Sequence, residues 1–352
     1  MGKPLFKFLK KGHSLIAVLA IGYAAAAKQP DESKVTLIDG SWNPGEGGPV
    51  TTQPNPLNRP FGVDFDSIGR MWIVELEGGR VHRLANGVRK QVGGDGSKSY
   101  RGDGGPLGQA TFNGMHNLAI APDDSLYIAD SWNHCIRRVD ASGRIKTFAG
   151  TGKAGFGGDG GPAAKAKFNY IMCITLNPSG EKLYVADLKN RRIREIDLKS
   201  DKVRTIAGNG QRGVPKDGAK ATEAPLVDPR AVCSDTAGNV YVLERGGHAL
   251  RVVRPDGRIY TVAGNGEKGN SDGRGSAARF NGPKHICADP AGNIYVADDV
   301  NHLIRKYEPK TGEVSTVLGR GKVKLSKPHG VTWDKGKLYI VDSSNHRILR
   351  VE

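Results

Sequence analysis

The stretch DSWNHCIRRVD, residues 130–140, decides the fold because the chain repeats its pattern. DLKNRRIREID follows at 187–197, DDVNHLIRKYE at 298–308 and DSSNHRILRVE at 342–352. Each copy opens on an acidic residue, and weaker copies begin at Glu75 and Glu244. Successive copies start 44 to 57 residues apart, which is the period of a repeat protein. The sequence therefore predicts six structural repeats.

Each repeat has the pattern of four short strands. In residues 281–319, apolar runs at 285–288, 294–297, 303–307 and 313–318 alternate with turns rich in Gly, Pro and Asp. Such runs are typical of antiparallel strands joined by tight turns. Four strands in a meander form one blade of a propeller. We therefore predict an all-β fold, a six-bladed β-propeller that forms a single domain over residues 28–352.

The last repeat ends with the chain, after only three strands. The missing strand is predicted at the other end, where KVTLIDG (34–40) matches KVRTIAG (202–208) and RIYTVAG (258–264) in length and pattern. We expect residues 35–38 to complete the sixth blade and close the ring, since closure removes the open sheet edges of an unclosed array.

The turn and strand N-H-x-I-R resemble the NHL repeat, and the resemblance covers nearly all of the chain after its N-terminal segment. Asn133-His134, Asn301-His302 and Asn345-His346 carry the full pair, whereas Asn190-Arg191, Gly247-His248 and Gly78-Gly79 depart from it. These positions recur in every blade, so we interpret them as structural rather than as parts of one site. The acidic residue is expected to accept backbone N–H bonds, and Asn or Gly in the turn to adopt positive φ.

The N-terminal segment predicts export. MGKPLFKFLKKGHSLIAVLAIGYAAAAKQP has a basic start, an apolar run from Leu15 to Tyr23, and small residues at Ala25 and Ala27. This is the layout of a signal peptide, predicted over residues 1–27 with cleavage near Ala27-Lys28. An uncleaved membrane anchor is the alternative. We expect a secreted or periplasmic monomer with no integral membrane span.

Five long loops join the outer strand of one blade to the inner strand of the next, and we expect them on one face around the mouth of the central channel. They span residues 40–60, 93–115, 150–170, 208–229 and 264–283. Loops clustered at one end of a rigid scaffold commonly carry binding sites. The predicted ligand-binding residues lie where the inner strands begin: Phe61, His116, Met172, Arg230, Lys284, His285 and His329. Their histidine, arginine and lysine side chains suit an anionic group such as a carboxylate, phosphate or sulfate.

The residues support a metal site or a nucleotide site less well than they support an anion site. The two GDGG segments lack the ending of a phosphate loop and the carboxylate density of a calcium loop, so we expect their aspartates to stabilise turns and a short helix to begin at Pro162. The chain also resembles the peptidylglycine amidating lyases, which implies zinc on channel histidines such as His116 and His329. The third ligand position of that resemblance holds Arg230, which opposes a dication. We predict no cofactor, and four cysteines that are buried free thiols.

The formal net charge of +16 favours polyanions in general. We predict an exported scaffold that binds an anionic ligand or a protein partner at the channel mouth. The alternative is an enzyme at the same mouth, a metal-dependent lyase or a lactonase-like hydrolase resembling the gluconolactonase-type propellers. Binding of RNA through the basic surface is a third hypothesis, and export makes nucleic acid an unfavoured partner.

Overall fold

The computed structural model describes residues 32–43, residue 46 and residues 56–352. Over these residues the chain forms six antiparallel sheets, each built on four strands. Each innermost strand contacts the innermost strand of the next sheet, and the last contacts the first, so that the six sheets form a closed ring. The prediction of a six-bladed β-propeller is confirmed. The predicted signal peptide lies outside the described residues.

The strands follow one another in meander order around the ring. The described part opens with a 3₁₀ turn at Glu32–Lys34 and strand β1 at Val35–Asp39. Blade one contains β2 (Pro60–Phe65), β3 (Met71–Glu75), β4 (Val81–Ala85) and β5 (Val88–Gly93). Blade two contains β6 (Met115–Ile120), β7 (Leu126–Asp130), β8 (Cys135–Val139) and β9 (Ile145–Ala149). Blade three contains β10 (Ile171–Leu176), β11 (Lys182–Asp187), β12 (Arg192–Asp197) and β13 (Lys202–Ala207).

Two of the remaining blades carry a fifth, two-residue strand on their outer edge. Blade four contains β14 (Ala219–Lys220), β15 (Pro229–Ser234), β16 (Val240–Glu244), β17 (Ala249–Val253) and β18 (Arg258–Ala263). Blade five contains β19 (Gly273–Arg274), β20 (His285–Ala288), β21 (Ile294–Asp298), β22 (Leu303–Glu308) and β23 (Glu313–Leu318). Blade six contains β24 (Gly330–Asp334), β25 (Lys337–Asp342) and β26 (Arg347–Val351). Short 3₁₀ turns lie at Leu107–Gln109, Ser131–Asn133, Ala163–Lys165, Leu188–Asn190, Gly275–Ala277, Asp299–Asn301 and Ser343–Asn345.

Strand β1 closes the ring as predicted. It pairs antiparallel with β26, in the register Val35 with Val351, Thr36 with Arg350 and Leu37 with Leu349. The pairing extends one residue beyond the predicted end, to Asp39, after a shift in register that follows Leu37. The two ends of the described chain therefore share one sheet.

The repeated motif is scaffold, and its geometry differs from the prediction in one respect. The buried carboxylate of Asp298 accepts the backbone N–H of Asn281 at 2.8 Å and the side-chain amide of Asn301 at 2.8 Å. The positive φ lies one residue later than expected, at His302 (φ 58°). His134, Arg191, His248 and His346 adopt the same conformation in their blades. The asparagine is needed inside the 3₁₀ turn for its side-chain bonds, so the left-handed conformation falls on the residue that ends the turn.

A buried arginine links this motif to the long loops in four blades. Arg305 contacts Asp298 on the same sheet at 3.0 Å and Asp272 in the incoming loop at 2.7 Å. The equivalent arginines are Arg137, which contacts Asp130 and Asp103; Arg194, which contacts Asp187 and Asp159; and Arg347, which contacts Asp342 and Glu46. The aspartates of the two GDGG segments are thus partners of buried arginines, and they hold the loops against the blades.

The loops do not simply surround the channel mouth, which corrects the predicted arrangement. Their first halves run along the outer edge of the next blade, where Gly104 donates its N–H to the carbonyl of Ile145 and Gly160 to that of Val203, both at 2.8 Å. The reason is that an outer strand exposes unpaired backbone groups, which these segments satisfy. The second halves then pass between blades, where Phe112, Phe168 and Phe280 are fully buried. The short helix occupies Ala163–Lys165 and begins one residue after Pro162.

The described residues contain four free cysteines, of which Cys135, Cys173 and Cys233 are buried and Cys287 is partly buried. No helix in the described part of the chain is long and apolar enough to cross a membrane.

Candidate functional site

Side chains from the starts of the inner strands fill the channel near the loop face. Phe61, His116, Arg230 and His329 are each at most 6% exposed. The ring of Phe61 stacks on that of His329, with 3.7 Å between centroids, and the rings of His116 and His329 lie 6.2 Å apart. The structure thus brings together residues from blades one, two, four and six, and they form a plug (Phe61, His116, Arg230 and His329) across the channel.

Met172 and Lys284 lie at the same level around the axis. Met172 is also buried. The ammonium group of Lys284 lies 3.1 Å from the carboxylate of Asp299 and 5.8 Å from the centre of the Phe61 ring. Lys284 therefore contributes a positive charge next to the plug, partly neutralised by its own partner.

The hydrogen bonds of the plug define which histidine nitrogens carry protons. Nδ1 of His329 donates to the carbonyl of Phe61 at 3.0 Å, so that its Nε2 accepts from Nη2 of Arg230 at 3.0 Å. Nδ1 of His116 donates to the carbonyl of Gly114 at 2.9 Å, which leaves a lone pair on its Nε2. Burial, followed by the charge of Arg230, holds the pKa of both histidines well below the usual value. Both rings are neutral hydrogen-bond partners near pH 7.

His285 lies one layer deeper and faces the other end of the channel. Its Nδ1 accepts the backbone N–H of Val331 at 3.3 Å, and its Nε2 lies 3.0 Å from the side-chain nitrogen of Asn117 and 3.7 Å from Sγ of Cys173. Burial, together with the charge of Arg230, lowers the pKa of His285 to about 4. Asn117, which was absent from the predicted site residues, completes this second layer because its position at the start of β6 points it across the channel.

Arg230 is the residue of the plug whose bonding is incomplete. Its side chain is 5% exposed, and Nη1 has no hydrogen-bond partner among the described residues. Its one side-chain hydrogen bond goes to a neutral histidine, and the described carboxylates form no ion pair with it. Burial and the nearby charge of Arg245 lower its pKa to about 10, so the guanidinium remains charged at neutral pH. A buried charge without a counterion is costly, and an anion that reaches Nη1 would relieve that cost.

The rim above the plug carries further basic and aromatic side chains. Arg245 and Lys189 are exposed in the turns that follow the second strands of blades four and three. Tyr170 lies 5.8 Å from the ammonium of Lys189, and Trp132 lies 6.0 Å from the ring of His116, measured to the ring centres. The rim therefore combines positive charge with flat apolar surface, which suits an organic anion.

The donor set does not fit the zinc site implied by the lyase resemblance. Within residues 32–43, 46 and 56–352, no three His, Cys, Asp or Glu side chains are grouped so that they could hold a metal ion. Nε2 of His329 already accepts from Arg230, and the third position is the guanidinium itself. The chemistry of these residues favours an anion over a metal cation.

Comparison with known proteins agrees with the repeat seen in the structure. The family model described as "NHL repeat" matches residues 280–307 and 325–350, in blades five and six. The chain is 29% identical over 272 residues to human NHL repeat-containing protein 2, covering 65% of this chain and 37% of that protein. It is 26% identical over 287 residues to the chloroplastic protein SUPPRESSOR OF QUENCHING 1 of Arabidopsis thaliana, covering 74% of this chain and 27% of that protein. The chain thus spans about a third of the length of these relatives.

Solved structures share the fold at low sequence identity. An auxiliary nutrient binding protein from Bacteroides thetaiotaomicron aligns with a TM-score of 0.63 at 16% identity, over 90% of this chain and 76% of that one. Virginiamycin B lyase from Staphylococcus aureus aligns with a TM-score of 0.55 at 15% identity, over 86% and 84% of the two chains. A gluconolactonase from Xanthomonas campestris aligns with a TM-score of 0.58 at 10% identity, over 90% and 88%.

These findings define the class of the fold and the repeat from which it is built. The class is the six-bladed β-propeller, here with its channel closed by side chains from its own inner strands. The chain carries NHL repeats in blades five and six and is similar to NHL repeat-containing proteins.

Proposed function

We propose that this protein is a binding scaffold, and that its loop-side channel end holds an anionic group against Nη1 of Arg230. The observation that carries the proposal is a buried guanidinium with an unused donor and no carboxylate partner in the described chain. A carboxylate, phosphate or sulfate would supply both the acceptor and the counter-charge. That a nutrient binding protein shares the fold is consistent with a small-molecule ligand.

The surroundings of Arg230 favour a ligand with an apolar part. Lys284 and Arg245 add positive charge on the side of blades four and five, whereas Trp132 and Tyr170 offer ring surfaces on blades two and three. An organic acid would place its anionic group against Arg230 and its body against the aromatic rim. A protein partner would meet the same demand with an acidic side chain or a C-terminal carboxylate.

The experiment compares wild-type protein with Arg230→Met and with Arg204→Gln, a control on an exposed arginine of the outer wall. Sulfate, phosphate, acetate and benzoate are titrated by calorimetry at several salt concentrations. We expect at least one of these anions to bind wild type and Arg204→Gln alike, more weakly as salt rises, and to lose about tenfold or more in affinity in Arg230→Met. Anion binding that is unchanged in Arg230→Met would contradict the proposal.

We also propose that the protein is exported, on the basis of residues 1–27 alone. The N-terminus of the protein recovered from its native host can be read by mass spectrometry. Export with cleavage predicts a first residue at or near Lys28, and an intact Met1 in the cytoplasm would contradict it.

A further inference from the structure

A pocket lies at the end of the channel away from the plug. It is a cavity of about 340 Å³, at the lower end of the range for small-molecule sites. The later halves of all six inner strands and the turns that follow them form its walls. His285 and Asn117 belong to its lining, so the layer beneath the plug separates it from Arg230.

The charge of this cavity is opposite to that of the plug. Among the residues that the structure describes, no lysine or arginine lines the cavity, whereas Asp64, Asp235 and Asp289 do. The carboxylates of Asp235 and Asp289 already accept hydrogen bonds next to the turns that these residues open, each from an asparagine and a tyrosine side chain. Asp64 is different, because it sits on the wall itself in strand β2.

Asp64 keeps capacity to accept further hydrogen bonds. One oxygen accepts the backbone N–H of Phe65 at 2.9 Å and the other that of Ile120 at 2.8 Å. Each carboxylate oxygen can accept two hydrogen bonds, so one position remains on each. The described cations form no ion pair with this carboxylate, although the residue is only partly exposed.

An aromatic ring and apolar side chains complete the cavity. Trp333 lines it and stacks on Tyr295 with 5.3 Å between ring centres and 15° between planes, which fixes the orientation of the indole. Leu118, Ile174 and Ile286 supply aliphatic surface. A carboxylate with a rigid aromatic ring and no competing cation is the combination that recognises alkylammonium groups.

We propose that this cavity is a second binding site, for a small organic cation with a primary or quaternary ammonium group. Its charge contacts the carboxylate of Asp64, its alkyl groups contact Trp333 and the aliphatic walls, and its binding is independent of the anion site at Arg230.

Calorimetry at about pH 8.5, where Asp64 is ionised, tests the site with choline, tetramethylammonium and ethylammonium, and with 3,3-dimethylbutanol as the uncharged analogue of choline. We expect at least one cation to bind wild type, about tenfold or more tighter than the uncharged analogue. Asp64→Asn and, as a second variant in case the first does not fold, Trp333→Leu should each weaken cation binding about tenfold. Arg230→Met should leave it unchanged, so failure of this site and failure of the anion site give different results.

Equal affinity for choline and its uncharged analogue would overturn the proposal. So would an Asp64→Asn protein that folds and binds the cations as tightly as wild type, or the absence of heat with all three cations in wild-type protein.

Discussion

The histidine of the repeated motif joins neighbouring blades. Nδ1 of His302 accepts the backbone N–H of Lys327 at 3.0 Å, and His134 and His248 make the same kind of bond to Tyr170 and Gly282. Its left-handed backbone conformation directs the ring toward the next inner strand. The side chain is therefore a link in the ring of blades.

Replacing this histidine should weaken the ring. We expect His302→Ala to lower the free energy of unfolding by about 1–2 kcal/mol, because it removes an acceptor and strains a positive φ. His302→Asn should cost less than half as much, since asparagine tolerates this conformation and offers an oxygen acceptor. Urea denaturation measures both, and equal losses in the two variants would contradict this role.

Arg230 should favour anion binding but lower the stability of the unliganded protein. Removing a buried charge that has no counterion should stabilise the unliganded protein, so Arg230→Met is expected to unfold with a free energy equal to wild type or higher by about 1–2 kcal/mol. Thermal unfolding in a buffer with a weakly binding anion tests this. A loss of several kcal/mol would show that Arg230 is a structural residue with an adequate partner.

The carboxyl group of Asp64 should make stability depend on pH. Burial, with a smaller effect from Asp334, raises its pKa to about 7, above the value of 3.8 in an unfolded chain. A carboxyl group with a raised pKa contributes stability that is complete below about pH 4 and lost as the pH rises to 7. Asp130, Asp187 and Asp298 also have pKa values raised to about 6 by burial. Their effect cancels when wild type is compared with Asp64→Asn, because both proteins contain them.

We therefore expect the stability of wild type relative to Asp64→Asn to fall by about 3–4 kcal/mol between pH 4 and pH 8. Urea denaturation of both proteins across this range measures the difference. A difference that is constant with pH would contradict the raised pKa.

At the scale of the elements, the buried arginines tie each long loop to its blade. Arg305 is fully buried between Asp298, which is also fully buried, and the loop residue Asp272. Arg305→Met should lower the free energy of unfolding by about 3–5 kcal/mol, because it leaves a buried carboxylate without its partner. The double variant Arg305→Met with Asp298→Asn should recover part of this loss, and urea denaturation of the two would show it. Equal losses would mean that packing, rather than charge, dominates.

The strands could be predicted from the sequence because their periodicity repeats in every blade. The path of the loops could not be predicted in this way. The contact of Asp103 with Arg137 joins residues 34 positions apart, and it forms only because the loop turns outward to pair with Ile145. The glycines and aspartate of a GDGG segment are compatible with a loop that binds a ligand or with a loop that pairs with the outer edge of a blade. The sequence pattern does not distinguish these two roles.

The residues of the site could be predicted from the sequence, but their hydrogen bonds could not. Aligning the starts of the inner strands identifies the side chains that meet across the channel, since equivalent positions in a closed ring face the axis. Which of these side chains is left without a partner depends on how they pack against one another. His329 donates to the carbonyl of Phe61 and so can accept from Arg230. These bonds join blades six, one and four, and the sequence does not show them. The cavity beneath the plug had no sequence signal, because its lining comes from two to four positions in each of six separate strands.

For the whole molecule, closure by β1 makes the ring one cooperative unit. We expect a variant lacking residues 1–39 to melt about 10 °C below a variant lacking residues 1–31, because only the first loses the strand that pairs with β26. Differential scanning calorimetry compares the two. Equal melting temperatures would contradict closure by this strand.

The described part of the molecule therefore has two chemically distinct ends on one axis: a basic plug on the loop side, and on the other side a cavity whose described lining holds aspartates but no lysine or arginine. Both proposals depend on this polarity, and the anion site at Arg230 is the central one. The most direct test is a crystal of the wild-type protein soaked in selenate and measured at the selenium absorption edge. We expect an anomalous peak within hydrogen-bonding distance of Nη1 of Arg230 in wild-type crystals and none in Arg230→Met crystals. A well-ordered guanidinium with no peak beside it, or with a protein carboxylate already bound to Nη1, would show that Arg230 does not hold an anion.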